Sequence, residues 1–207
     1  MSTIHYLISL TVLIHLIMPY MWYIISPIQT HPIRTYVSYG LQTWGALVTT
    51  LILRDQTVGT LYEPVYDFFT ELYKGICFIV LFDIWFYTVH RLCHEIPSVY
   101  KHIHKVHHLQ VNPTSLDALI VDPIEGIIIA DLPGICLVHM LNMHIATHIV
   151  MMIVSHFIVF VSHSGHDTHH LAHHHMFSYN YGATPFTDLL FGTYYRGKLN
   201  RKYSNPD

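Results

Sequence analysis

Charge is scarce in this chain: Asp, Glu, Lys and Arg make up 11% of its 207 residues, against about 25% in an ordinary soluble domain. Hydrophobic residues reach 52% and the mean hydropathy is +0.36, a composition that points away from a soluble globular enzyme. Positive charge is not in surplus either. Ten Lys and Arg face 13 Asp and Glu, a formal charge of -3, which leaves nothing to neutralise a phosphate backbone and argues against a nucleic-acid partner. Cysteine is equally sparse: Cys77, Cys93 and Cys136 are odd in number and widely spaced, so they define no disulfide framework. No repeat, low-complexity tract or Gly/Ser linker divides the chain, and a single membrane domain over residues 1–207 is expected.

Apolar length is what the chain has instead. Five stretches approach the roughly 20 apolar residues that a helix needs to cross a bilayer: residues 4–25, 36–53, 75–89, 123–141 and 145–161. The first has no Lys or Arg ahead of it and no small-residue cleavage pattern behind it, so a retained membrane segment is expected rather than a removed signal peptide. Polar residues interrupt the others: Asp83 in the third, Glu125 and Asp131 with Pro133-Gly134 in the fourth, His148 and His156 in the fifth. Such groups are costly against lipid, so the helices must pack on one another or line a polar cavity. The expected fold is an all-α integral membrane protein, a bundle of about four to five transmembrane helices with a His-rich cytoplasmic cap holding a dimetal site. Residues 54–74 are ambiguous, because DFFTELY could lie in the membrane interface, and either two or three helices precede His90. Orientation follows the basic residues. Arg91, Lys101 and Lys105 lie between the third and fourth segments, and Arg196, Lys198, Arg201 and Lys202 follow the fifth, whereas the turn at 142–144 has none. The His-rich stretches are therefore expected together on the cytoplasmic side.

Histidine is the abnormal residue. There are 20, and all but His5, His15 and His31 fall between His90 and His175. HRLCH sets His90 and His94 at i and i+4 where the third segment ends, so both rings leave one helical face at the membrane edge. HKVHH then sets His104, His107 and His108 at i, i+3 and i+4, and HLAHH repeats the spacing with His170, His173 and His174; each triplet is expected to gather its rings on one face. At a His frequency of one in ten, a given HxxHH arises by chance about once in a thousand starts. Eight or more imidazoles with few nearby carboxylates exceed what one tetrahedral zinc uses, and two metal ions are the natural reading. Zinc hydrolysis of the zincin kind needs HExxH, but His94-Glu95 is followed by Ile96-Pro97-Ser98. Redox iron fits better, accepting neutral imidazoles and leaving positions for oxygen.

Other histidines divide by position. His163 lies seven residues after His156, close to the same helical face, and is expected to ligate; His166 is the next candidate and is left open. His102, His169 and His175 flank the motifs but point off their faces, which suits outer or solvated roles. His5, His15, His31, His139, His144 and His148 are expected to be structural or interfacial. Asp83 shares a face with Tyr87 and His90, and is either an outer carboxylate that orients a ligand or a helix-packing group.

These residues resemble the fatty acid hydroxylase superfamily, which includes sterol desaturases, sterol hydroxylases and sphingoid-base hydroxylases. The resemblance runs from about Asp83 to Tyr194, within a core of about 75–195, and rests on FDIWFYTVHRLCH, YKHIHKVHH with Pro113 after it, DPIEGII, HSG at His163, and HLAHHHMFSYNYG followed by TDLLFGTYY. YKHIHKVHH and PIEGII look closest to sphinganine C4-hydroxylases, and HSG to sterol oxidases. Many members carry His where this chain has Asp122, and the segment between HSG and the last HxxHH is short here. The resemblance implies metal ligands at His90, His94, His104, His107, His108, His163, His170, His173 and His174, holding two iron ions with O2 as co-substrate. It further implies a location in the endoplasmic reticulum, a lipid substrate such as a sterol, sphingoid base or fatty acyl chain, and either hydroxylation or desaturation of an aliphatic C–H bond. Without GxGxxG or room for a fused electron-transfer domain, the electrons are expected from a separate cytochrome b5 and its reductase. A His-rich membrane metal carrier and a membrane zinc hydrolase are the rival readings.

Overall fold

The computed structural model describes residues 67–164 and 168–197. The apolar stretches 4–25 and 36–53, together with His5, His15, His31 and His166, lie outside these residues. Among the described residues every regular element is helical, as the composition and apolar runs require.

Helix α1, Phe68–Glu95, has 28 residues, or about 42 Å at 1.5 Å per residue, more than the roughly 30 Å of bilayer hydrocarbon. It begins seven residues before the apolar stretch at 75–89, so DFFTELY does not form a separate interfacial segment; all of it but Asp67 lies within the first turns of α1. Pro97 ends the helix by forcing Ile96 into extended backbone at φ -96 and ψ 106. A short α2, Pro97–His102, and two 3₁₀ turns, His104–Leu109 and Ser115–Leu119, follow. The second turn is fixed by a reciprocal cap, in which Asp117 Oδ2 accepts from Thr114 N at 2.8 Å and Thr114 Oγ1 at 2.9 Å.

Helix α3, Pro123–Met140, starts with Pro at its first position, and Asp122 Oδ1 accepts from Ile124 N at 2.9 Å. A π turn at Ile127–Asp131 interrupts its α-helical pattern, and the Ile128 carbonyl there accepts from Trp85 Nε1 of α1 at 2.9 Å. Helix α4, Ile145–Ser162, is capped by His144 Nδ1, which accepts from Ala146 N. Helices α5, Thr168–Met176, and α6, Pro185–Phe191, complete the described chain, α6 ending on Gly192 in the left-handed region at φ 74.

Helices α1, α3 and α4 pack side by side. Phe78 of α1, Leu137 and Val138 of α3, and Met143 form one buried cluster; Leu116, Ala118 and Leu119 bury Phe160 of α4 in another. The outer faces stay apolar: Phe69 and Ile76 on α1, and Val150, Ile153 and Phe157 on α4, are exposed, an arrangement suited to lipid. Helices α1 and α3 are long and apolar enough to cross a membrane, and Ala146–Ser162 of α4 is a further apolar helix just below that length. Asp83 and Glu125 are buried inside the bundle, consistent with the expectation that polar residues of the spans turn inward.

Glu71 ties the end of the bundle opposite the His-rich loops. Its Oε1 accepts from Lys74 Nζ at 2.7 Å and its Oε2 from the His144 backbone N–H at 2.9 Å, while Lys74 also donates to the Asn142 carbonyl. One carboxylate thus joins the start of α1 to the turn between α3 and α4. Replacing Glu71 with Ala removes the acceptor of the part-buried His144 N–H and one of two acceptors of Lys74, and is expected to cost about 2 kcal/mol, measurable as a lower denaturant midpoint in detergent; Glu71→Gln is expected to cost less.

Candidate metal centre

The histidines meet at one end of the bundle. Helix α1 brings His90 and His94 there in its last turns, α4 delivers His163 as its C-cap, α3 starts there with Glu125, and the first 3₁₀ turn and α5 cross above. All nine sequence-predicted ligands fall into two adjacent clusters. His90, His94, His104, His108 and His173 form the first; His107, His163, His170 and His174 form the second. In each, the candidate ligand nitrogens lie within 4.8 Å of one another.

The HxxHH motifs do not keep their rings together as expected. Each sends its i, i+4 pair to one cluster and its i+3 ring to the other, and they do so in opposite senses: His104 and His108 against His107, then His170 and His174 against His173. At 100° per residue, i and i+4 diverge by 40°, whereas i+3 and i+4 diverge by 100°, so α5 points its rings to two sides. His104–Leu109 is a 3₁₀ turn rather than the α-helix implied by the spacing, yet its rings divide in the same way.

The donor set fits metal ions on geometric and electrostatic grounds. His90 Nδ1 donates to the Tyr181 carbonyl at 2.7 Å, His173 Nδ1 to the Tyr179 carbonyl at 2.7 Å, and His104 Nδ1 to Glu125 Oε1 at 2.7 Å. Fixing the proton on Nδ1 leaves each Nε2 of a neutral ring as a bare lone pair. Those Nε2 atoms nevertheless face other Nε2 atoms closely: His90 to His104 at 3.1 Å, His94 to His104 at 2.8 Å, and His108 to His173 at 3.2 Å. Converging lone pairs repel, and a cation between them removes the conflict. Two nitrogens each about 2.1 Å from an ion stand roughly 3.0 Å apart at a right angle, which matches these separations. In the second cluster, His163 Nε2 faces His107 Nε2 at 3.3 Å, and Nε2 of His174 is buried without a hydrogen-bond partner. Neither cluster includes a carboxylate.

Burial keeps the loop and cap imidazoles neutral. It pushes His104 and His107 down to about 3 and His163 to about 4, with His108, His170, His173 and His174 also held well below the ordinary value. Neutral rings are the form that ligates.

The remaining histidines lie outside both clusters. His102 is exposed, its ring on the Ser98 carbonyl, and His175 binds Asn112 Oδ1 at 3.1 Å. His156 binds the Met152 carbonyl of its own helix. His169 is buried rather than solvated, and donates to Asp188 Oδ2 at 3.1 Å. Asp83 is a packing group: it accepts from Thr184 N, Thr187 N and the Thr187 hydroxyl, tying α6 to α1. The outer carboxylate on a cluster histidine is Glu125, which sequence reasoning left as a polar residue within a span. Its signal was there, since an acid in an apolar helix marks a functional position by default.

An apolar cavity of about 100 Å³ opens beside the clusters, lined by Phe86, Ile129, Ile158 and Val159, with His90, His107, His163 and His170 at its wall.

The fold and site define a class: a helical, membrane-type protein whose histidines form two adjacent clusters able to hold metal. The fatty acid hydroxylase family model matches residues 75–193, more than half of the chain, and the chain belongs to that family. Similar proteins include Fatty acid hydroxylase domain-containing protein 2 of Macaca fascicularis, 30% identical over 151 residues, covering 68% of this chain and 43% of the relative. Methylsterol monooxygenase erg25B of Aspergillus fumigatus is 30% identical over 168 residues, covering 67% of this chain and 56% of the relative. The putative Delta(7)-sterol-C5(6)-desaturase 2 of Arabidopsis thaliana is 27% identical over 132 residues, covering 56% and 46%. The chain spans about half the length of these relatives. No solved structure matches it.

The neutral histidines predict a direction with pH. An unfolded His takes up a proton near 6.5, whereas folded His104 and His107 do so only near 3. Between those values the unfolded state binds more protons, so stability falls on acidification by about 1.4 kcal/mol per pH unit for each such group. Denaturation of the metal-free protein is expected to give a steady midpoint above pH 7 and a falling one below about 6.5. A midpoint that rose on acidification would refute the neutral-imidazole reading.

Proposed function

We propose that this chain is a membrane-bound di-iron oxygenase that hydroxylates or desaturates an aliphatic C–H bond of a lipid such as a sterol, sphingoid base or fatty acyl chain. The observation that carries the reading is the pair of adjacent all-histidine clusters beside an apolar cavity at one end of a membrane-type bundle. Family membership, and relatives named as a monooxygenase and a desaturase, support the same chemistry.

The proposed ligands are His90, His94, His104, His108 and His173 for one iron, and His107, His163, His170 and His174 for the other. Nine neutral imidazoles without a carboxylate favour a borderline transition metal over Mg²⁺ or Ca²⁺, and oxidation of an unactivated C–H bond favours a redox metal over zinc. When bound, the two irons supply O2 activation and hydrogen abstraction. Phe86, Ile129, Ile158 and Val159 would hold a stretch of alkyl chain against the histidines and keep water from the reacting carbon. Glu125 and the Tyr179 and Tyr181 carbonyls would keep three rings in the ligating tautomer. Hydroxylation places one oxygen atom in the lipid and one in water, desaturation places both in water, and each consumes two electrons and two protons. We assign those electrons to a separate donor such as cytochrome b5 and its reductase.

In this reading the bundle has four to five spans, and the clusters face the cytoplasm of the endoplasmic reticulum as the cap of a core at about 75–195. The helix directions agree with a one-sided arrangement, since the His-rich loops lie at one end and the turn at 142–144 at the other.

Incubating the purified protein with iron, a reductase system, O2 and membrane lipid, followed by mass spectrometry, is expected to yield a +16 product for hydroxylation or a -2 product for desaturation. His107→Ala is expected to lower turnover by at least about 100-fold, because even outer partners of metal ligands are worth 10 to 100-fold. His102→Ala, at an exposed ring bound to its own helix, is expected to leave it unchanged. No oxidised product from sterols, sphingoid bases or acyl lipids would reject the oxygenase reading: metal transport without turnover would favour a carrier, and zinc-dependent lipid cleavage a hydrolase.

A further inference from the structure

The two clusters are supported from different parts of the chain. In the five-histidine cluster, two rings depend on one short turn at residues 179–182: His173 donates to the Tyr179 carbonyl and His90 to the Tyr181 carbonyl. In the four-histidine cluster, His163 Nδ1 donates to Val159 O of its own helix at 2.8 Å. That support does not pass through the turn.

The turn in turn hangs on Asp188, which is wholly buried. Its Oδ1 accepts from Tyr181 N at 2.9 Å and Thr193 Oγ1 at 2.7 Å. Its Oδ2 accepts from Gly182 N at 2.8 Å and His169 Nε2 at 3.1 Å. Asn180, in the left-handed region at φ 57, locks the other side by donating to the His169 carbonyl and accepting from Tyr195 N. No slack remains at Gly182, where a methyl group would lie 2.5 Å from Thr184 O and 3.0 Å from Asp188 Oδ2.

We infer that Asp188 is a positioning residue for one metal only: acting through the 179–182 turn, it aims His90 and His173, so losing it empties the five-histidine site while the four-histidine site keeps its ion. This rests on the two-iron reading above. Asp188→Asn keeps the volume but replaces an acceptor oxygen with an NH2 group, so either Tyr181 N–H or Gly182 N–H then faces a donor and the turn must shift. Gly182→Ala disturbs the same turn by contact rather than by charge.

The test is iron per chain, by elemental analysis of full-length protein purified in detergent from iron-replete cells, with helicity by circular dichroism and the absorption of the cobalt(II)-substituted forms. Wild type is expected to hold two irons and show two cobalt components. Asp188→Asn and Gly182→Ala are each expected to hold one iron and one component with unchanged helicity. Glu71→Ala, which weakens the opposite end of the bundle, is expected to keep both, so general destabilisation does not mimic the effect. Wild type holding one iron or none overturns the two-iron reading itself. Wild type holding two while folded Asp188→Asn holds two, or none, overturns the assignment of Asp188.

Discussion

Buried lone pairs that point at one another are the constraint on which this structure turns. An imidazole brought out of water loses hydration at both nitrogens, and a neutral ring has one donor and one acceptor to satisfy. At His90, His104 and His173 the donor side is satisfied outward, by carbonyls and a carboxylate, and the acceptor side is left facing inward with its neighbours. Such an arrangement stores unfavourable energy until a cation enters, so the outward bonds do two things at once. They choose the tautomer, and they make the centre a site for positive charge rather than a packed polar core.

Helical periodicity then explains why two centres form rather than one. In α5, HxxHH contains both a 40° pair and a ring turned about 100° from the pair's second member, so that helix serves both centres; the 3₁₀ turn at His104–Leu109 divides its rings in the same way although its step is about 120° per residue. Two such motifs used in opposite senses give each cluster three rings. The HxxxH at the end of α1 adds two to the first cluster, and the C-cap of α4 adds one to the second. The unequal result, five against four, is thus a consequence of which elements end at this height in the bundle.

Much of this was legible in the sequence, because its causes are local. Apolar run length marks α1, α3 and α4, ligand chemistry together with motif spacing marks eight of the nine clustered histidines, and His163 was marked by its seven-residue step from His156 and by the family resemblance. What was not legible is carried by backbone or by distant pairing. The carbonyls of Tyr179 and Tyr181 have no side-chain signature, and the role of Asp188 depends on a turn closed six or seven residues away. Asp83 stands on the face that suggested an outer carboxylate, yet it bonds Thr184 and Thr187, about a hundred residues further along the chain. The 3₁₀ form of His104–Leu109 escaped for another reason, since short 3₁₀ turns act as connectors between helices and carry no spacing signature of their own.

The membrane-type architecture and the site are joined by one repeated spacing. Phe86 precedes His90 by four residues on α1, Ile129 follows Glu125 by four on α3, and Val159 precedes His163 by four on α4, and all six line the cavity. Each step points from the His-rich end toward the middle of the bundle. Three helices therefore present an apolar layer about one helical turn, or roughly 5.4 Å, below a layer of site residues. A polar-to-apolar boundary built this way needs no separate binding domain: the helix packing that buries Asp83 and Glu125 also sets the depth of the cavity beneath the histidines. An alkyl chain entering between these helices would meet hydrocarbon-like walls until its last turn of travel, and imidazole nitrogen only at the end.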